Sequence, residues 1–187
     1  PLPKITNIYS TGYAFAALDE DGKVYSWGNS ARGGNLPDTL DHNKDKLPKI
    51  TNIYSTKWAF TALDEGGKVY SWGNSARGGN LPPTLNYNNN PQPPKITNIY
   101  STDRAFAALD EDGKVHVWGF VYGSGNLPTT LNYNNNPQPP KITNIYSTGY
   151  AFAALDGDGK VHAWGDKVNG GSLPTTLDHN KDKLPKI

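Results

Sequence analysis

The sequence predicts an all-β protein in which one small unit is repeated four times. Three observations carry this. Trp27, Trp72, Trp118 and Trp164 follow one another at steps of 45, 46 and 46 residues, and Phe15, Phe60, Phe106 and Phe152 keep the same spacing. Each unit contains short runs rich in β-branched and aromatic residues, such as Ile5 to Tyr9 and Val24 to Trp27, the composition of half-buried strands. Between the second and third runs stands Asp19-Glu20-Asp21-Gly22 or its equivalent, which puts a glycine where a short hairpin needs positive φ.

The elements follow in order. Every unit opens with Lys-Ile-Thr-Asn-Ile-Tyr-Ser-Thr, beginning at Lys4, Lys49, Lys95 and Lys141, and this reads as the first strand. The next run, Tyr13 to Asp19, is alanine-rich and invites a helix. It is too short for one between Gly12 and the Asp-rich turn, so a strand is expected. Gly-Lys-Val leads to a third strand ending in Trp-Gly, antiparallel to the second. A fourth segment, Leu-Pro-x-Thr-Leu, contains Pro37, Pro82, Pro128 or Pro174. Proline lacks the N–H of an interior strand, so this segment is expected at the outer edge of the sheet. Polar connectors, Asp41 to Lys46, Asn86 to Pro94 and Asn132 to Pro140, lead to the next unit.

Four-stranded antiparallel sheets repeated at this interval describe a β-propeller. The expected architecture is four four-stranded blades in one repeat domain, residues 1–187, with units at about 1–46, 47–94, 95–140 and 141–187. Leu184-Pro185-Lys186-Ile187 repeats Leu2-Pro3-Lys4-Ile5, so the sequence stops where a fifth unit would begin. A second chain joined edge to edge would complete eight blades and cover two open sheet edges, and a homodimer is therefore the expected assembly. A self-closed four-bladed ring and a crop from a longer array are the alternatives. Units this alike imply recent amplification, natural or engineered.

Composition narrows the function. The 187 residues include no cysteine, which excludes disulfides, thiolate metal sites and redox motifs and leaves the compartment unread. Lys and Arg number 18 against 17 Asp and Glu, scattered along the chain, so no broad field draws it to nucleic acid or anionic lipid. No apolar run approaches the ~20 residues of a spanning helix, and no membrane partner is expected. With no initiator methionine or signal segment, the chain reads as a processed piece.

The run Ile8 to Ser30, Ile-Tyr-Ser-Thr-Gly-Tyr-Ala-Phe-Ala-Ala-Leu-Asp-Glu-Asp-Gly-Lys-Val-Tyr-Ser-Trp-Gly-Asn-Ser, resembles the repeat of the regulator of chromosome condensation superfamily, and is closer still to its bacterial tandem repeats. The resemblance covers about half of each unit. It implies a propeller, normally of about seven blades, that binds partners through loops on one face. Two departures stand out. The family's histidine before the second strand is replaced by Ala14-Phe15, and its Gly-Gln-Leu-Gly signature is only echoed by Gly33-Gly34-Asn35-Leu36. The exchange activity of the founding member resides in loops absent here, so the resemblance implies none.

Catalytic chemistry finds no support in the residues. Asp19-x-Asp21-Gly22 begins like a calcium loop, but its glycine comes two places early and no Glu follows at the twelfth position, which leaves a hairpin turn. Gly28-Asn29-Ser30-Ala31-Arg32-Gly33 has one residue too many for a nucleophile elbow. His116 and His162 take the place of Tyr25 and Tyr70 and fill an aromatic packing position, with a shared metal as the lesser reading. His42 and His179 fall in connectors and are expected to be solvated. No enzyme activity, cofactor or metal is expected. The repeated Trp is expected to be core between blades.

Variation between units collects on one face. In an up-and-down blade the first turn and the loop after the third strand emerge together, opposite the uniform Asp-Gly turn. The first turns differ: Gly12-Tyr13, Lys57-Trp58, Asp103-Arg104 and Gly149-Tyr150. So do the later loops: Ser30-Ala31-Arg32, Ser75-Ala76-Arg77, Phe120-Val121-Tyr122 and Asp166-Lys167-Val168. Loops on a rigid scaffold are the usual seat of recognition. Tyr13, Arg32, Lys57, Trp58, Arg77, Asp103, Arg104, Tyr122, Tyr150 and Lys167 are the candidate binding residues, set against neutral drift at surface turns. The expected function is a noncatalytic scaffold or protein-interaction module that self-assembles through blade edges. The alternative is a lectin-like propeller binding a glycan at several equivalent sites.

Overall fold

A computed structural model of the chain describes residues 2–42, 46–87, 90, 92–120, 126–132, 136 and 138–178. Tyr122, His179 and the closing Leu184 to Ile187 lie outside the described residues. The first three predicted strands of each unit form where the pattern placed them. The first unit holds β1 (Ile5–Ser10), β2 (Ala14–Asp19) and β3 (Val24–Gly28), and the second β4 (Ile50–Ser55), β5 (Ala59–Asp64) and β6 (Val69–Gly73). The third holds β7 (Ile96–Ser101), β8 (Ala105–Asp110) and β9 (Val115–Gly119), and the fourth β10 (Ile142–Ser147), β11 (Ala151–Asp156) and β12 (Val161–Gly165). Each triplet is one antiparallel meander, giving four three-stranded sheets.

The expected fourth strand is not part of any described sheet. Pro37 is extended but pairs with no strand among the described residues, and its carbonyl accepts the Leu40 amide at 2.9 Å as Asp38–Leu40 closes into a single 3₁₀ turn. Proline withholds a ladder donor, and the segment ends by driving an aliphatic side chain inward instead of pairing its backbone. Leu40, Leu85 and Leu131 are all buried by this turn or its equivalents.

Local chemistry explains the repeated letters. In β1 the register slips between Ile5 and Asn7, and Thr6 Oγ1 donates to the Leu18 carbonyl across the irregularity at 3.0 Å. Thr51, Thr97 and Thr143 repeat that bond. At the next turn Thr11 Oγ1 accepts the amides of Tyr13 and Ala14, a side-chain turn that serves in place of a tight hairpin. The Asp ending the second strand ties the following turn. Asp19 Oδ1 accepts the amides of Asp21 and Lys23, while Oδ2 accepts the Tyr25 hydroxyl at 3.0 Å. Its two oxygens are thus engaged within its own hairpin.

Phenylalanine and tryptophan sit directly opposite one another in the second and third strands of every unit. Phe60 pairs with Trp72 in register, their rings 5.3 Å apart and 30° from parallel. Phe106–Trp118 and Phe152–Trp164 do the same. These pairs lie in the junctions between consecutive units, where Trp72 Nε1 donates to the Gly33 carbonyl and Trp118 Nε1 to that of Gly78, both at 3.1 Å. The expectation that the repeated Trp is core between units holds for Trp72, Trp118 and Trp164.

Candidate functional site

Each junction is built from the same parts. The Ile50 amide donates to the Gly22 carbonyl of the preceding Asp-Gly turn at 3.0 Å, and Ile96 and Ile142 repeat this onto Gly67 and Gly113. On the opposite face a backbone chain runs from unit to unit: Gly12 N–H to the Lys57 carbonyl, Lys57 N–H to Asp103, and Asp103 N–H to Gly149, at 2.9 to 3.0 Å. Between these bonds lies an apolar filling. In the first junction Leu18, Val24 and Leu40 of one unit meet Ile50, Ile53, Phe60 and Trp72 of the next.

The two ends of the array carry the halves of that junction uncovered. Trp27 is 47 % exposed whereas Trp72 is 4 % exposed, and Phe15 is 47 % exposed whereas Phe60 is wholly buried. Ile8, at 64 %, is likewise open where Ile53, Ile99 and Ile145 are buried. At the far end Leu177 is 43 % exposed although Leu40, Leu85 and Leu131 are covered, and Tyr146 is 58 % exposed. The identical letters differ only in whether a neighbouring unit stands against them.

The candidate residues on the variable face come together to a large extent. The Arg32 guanidinium carbon lies 3.8 Å from the centre of the Tyr13 ring and 4.4 Å from that of Trp58. Arg77 lies 4.4 Å from the centre of the Trp58 ring and 5.8 Å from that of Phe120, and Arg104 lies 5.5 Å from Phe120. Tyr13 and Trp58 also meet at 5.0 Å between ring centres. The result is an alternating stack that crosses three units, held by cation–π attraction. Lys57 and Asp103 form an ion pair at 2.7 Å beside it, and that carboxylate, by hydrogen bonding, raises the Lys57 ammonium above its ordinary value.

Two sequence expectations change here. Thr148 Oγ1 donates to the Asn169 carbonyl as Thr11 Oγ1 does to that of Arg32, so Asn169, not Lys167 or Val168, is the fourth unit's counterpart of the arginine. Lys167 and Tyr150 are exposed on the same face and take no part in the stack. Phe120 is a rung that sequence reasoning passed over. It stands where Asn29, Asn74 and Asp166 occupy the other units, and that lone aromatic was the available signal.

The histidines have firm places. His116 Nε2 lies 2.9 Å from Asp110 Oδ2 and His162 Nε2 lies 2.9 Å from Asp156 Oδ2, each taking over the bond that Tyr25 and Tyr70 make to their own Asp. Burial alone would raise Asp110 and Asp156, but the bonds from histidine and from the turn amides outweigh it and hold both below the ordinary carboxylate value. His42, expected to be solvated, is exposed yet bonded: Nε2 lies 2.6 Å from the Val24 carbonyl, and its ring meets Tyr25 edge-on. No group of three or more metal-ligating side chains occurs among the described residues. Clefts open at the outer rim of the junctions, about 690 Å³ beside Thr130, Lys160 and His162 and about 450 Å³ beside Thr39, Lys68 and Tyr87.

These features define a class, a β-propeller-type repeat protein whose distinguishing surface is a loop face. Residues 5–33 match the model of the regulator of chromosome condensation (RCC1) repeat, and the chain carries β-propeller repeats similar to that superfamily. None of the curated proteins matches it in sequence. Among solved structures, Prp20p from Saccharomyces cerevisiae, a protein with binding properties towards Gsp1p and histones, superposes with a TM-score of 0.58 at 19 % identity over 88 % of this chain and 46 % of its own. Human WBSCR16 gives 0.56 at 18 %, covering 89 % and 49 %. The CRINKLY WD40 ectodomain of the Arabidopsis thaliana receptor kinase ACR4 gives 0.54 at 18 %, covering 88 % and 54 %. The chain thus spans about half the length of these three structures.

Proposed function

We propose that the chain is a noncatalytic propeller scaffold and protein-interaction module that completes its ring with a second copy of itself. The observation behind this is the exposure of Ile8, Phe15 and Trp27 at one end and of Leu177 at the other, since the counterparts of each are buried at the internal junctions. Head-to-tail joining repeats an interface the chain already makes three times between its four sheets. In it Ile5 N–H would meet the Gly159 carbonyl, Trp27 Nε1 that of Gly170, and Gly149 N–H that of Gly12. Four sheets from each of two copies make an eight-bladed ring with two such seams, and a heterologous contact that closes leaves no edge for further growth. Units at about 1–46, 47–94, 95–140 and 141–187 are the blades of this reading.

Light scattering across a dilution series tests it. A particle of twice 20.3 kDa that falls to one chain mass in Trp27→Asp is the expected result. A wild-type monomer at every concentration overturns it and leaves the open ends to further units of a longer array. The lectin-like alternative draws on the rim clefts, where Lys68 Nζ lies 3.7 Å from the centre of the Tyr87 ring among Asn80, Asn86 and Thr39. A glycan array without hits removes it.

A further inference from the structure

The stack Tyr13–Arg32–Trp58–Arg77–Phe120–Arg104 is more than a lock between units, because its polar edges are unspent. A guanidinium stacked on a ring uses its flat face and keeps its N–H fork for an acceptor in the same plane. Among the described residues no carboxylate pairs with Arg32, Arg77 or Arg104, and Arg77 Nη1 is buried without a hydrogen-bond partner. The acids of this face are committed elsewhere: Asp103 holds Lys57, and Asp166 accepts the amides of Val168 and Asn169. Three guanidinium groups without a carboxylate partner among the described residues thus share one loop face with local positive charge, although the whole chain carries a net charge of only +1.

The rings decide which anion fits. Trp58 has Arg32 and Arg77 each centred 4.4 Å from its ring, so it offers little open π face on which a nucleobase could stack. What remains available is the guanidinium edge, and that edge matches a carboxylate bidentately. We propose that this stack is the docking surface for an acidic peptide segment of a partner protein, whose carboxylates are taken by Arg32, Arg77 and Arg104. The proposal rests on the reading of the chain as a protein-interaction module. It is independent of whether the ring closes with a second copy. The aromatic members act as rigid backing that fixes each guanidinium before binding, which lowers the ordering cost of three long side chains. Trp, Tyr and Arg are also the residue types that dominate interface energetics.

The test titrates the full chain with a fluorescein-labelled oligoglutamate peptide by anisotropy, beside oligothymidylate and oligolysine of equal length. Oligoglutamate is expected to bind, and each single change Arg32→Ala, Arg77→Ala or Arg104→Ala to weaken it by about tenfold, the value of one charge-assisted bond. The triple change Lys23→Ala, Lys114→Ala and Lys160→Ala removes as much charge beside the opposite, Asp-Gly turns and is expected to leave binding within about twofold, since exposed distant charges are screened. Arg32→Lys with Arg77→Lys keeps charge and stem, and is expected to weaken binding severalfold because the planar fork is lost. Equal loss in the lysine triple, unchanged binding in the Arg→Lys pair, or tighter binding of oligothymidylate than of oligoglutamate would each overturn the proposal. Particle mass read on the same samples separates the two readings: a monomer that binds oligoglutamate sinks the ring alone, and a dimer that does not bind sinks the docking surface alone.

Discussion

Replacing the same residue at two places in the repeat separates what a tryptophan does from where it stands. Trp72 is 4 % exposed, stacked on Phe60 and hydrogen-bonded to Gly33, so Trp72→Ala is expected to cost about 3–5 kcal/mol. In a chain of this size that lowers the melting temperature by roughly 10 °C. Trp27 occupies the identical strand position but is 47 % exposed. In the separated chain Trp27→Ala should cost about half as much, because the side chain has half as much surface to lose. Its larger effect belongs to assembly. Bringing Trp27 to the burial of Trp72 removes about 100 Å² from water, worth about 2.5 kcal/mol per seam at ~25 cal/mol/Å². With two seams per ring the dissociation constant rises by about three decades or more. Urea unfolding of dilute protein reads the first quantity and light scattering across dilution reads the second. If Trp27→Ala left the dilution midpoint of the dimer where it was, the exposed end would not be the seam, and the reasoning from the internal junctions would fail.

Three further outcomes follow from the geometry. Gly67 and Gly159 share a turn position, with φ of 84° and 80°, but a Cβ on Gly67 would lie 2.9 Å from the Ile96 carbonyl oxygen while one on Gly159 meets nothing within 4 Å. Gly67→Ala should therefore destabilise the chain by roughly 1–3 kcal/mol more than Gly159→Ala, which bears only the backbone cost, as chemical denaturation of dilute samples would show. Asp110 and Asp156 are held below their unfolded value, so their stabilising contribution is complete above about pH 4 and is lost as pH falls through the folded value. Asp110→Asn with Asp156→Asn should flatten the acid limb of stability measured by urea midpoints, and an unchanged limb would remove these groups from the account. Burial, with the Asp64 charge behind it, pushes the Tyr87 hydroxyl up to about 12, and burial raises Tyr70 as well. Stability from both is full below the unfolded tyrosine value of about 10 and is lost as pH rises through the folded ones, so phenolate absorbance should lag in the native protein and catch up on unfolding.

Much of the fold was legible because its causes are local. The period, the three strands of each unit and the Asp-Gly hairpin all depend on residues within a few positions of one another, so spacing and turn chemistry identify them. The Thr of each first strand and the Asp of each second strand act inside their own unit in the same way. The fourth segment was misread because proline's tolerance of an edge position is compatible with a strand but does not require one. What decided the matter was the pull of Leu40, Leu85 and Leu131 into a junction made with the following unit.

The site was legible only as a set of varying letters. That Arg32, Arg77 and Arg104 interleave with Tyr13, Trp58 and Phe120 depends on the rise from one unit to the next, a distance no single repeat encodes. Likewise the substitution of histidine for tyrosine at 116 and 162 looked like packing, and became a bond to aspartate once the hairpin brought residues six apart face to face. By itself the sequence determined the repeat, its strands and its turns, since short-range backbone preferences and periodic hydrophobicity are written along the chain. Only the tertiary structure decided which copy of Trp, Phe, Ile and Leu is core and which is surface, because burial belongs to a pair of units and the end units each lack one neighbour.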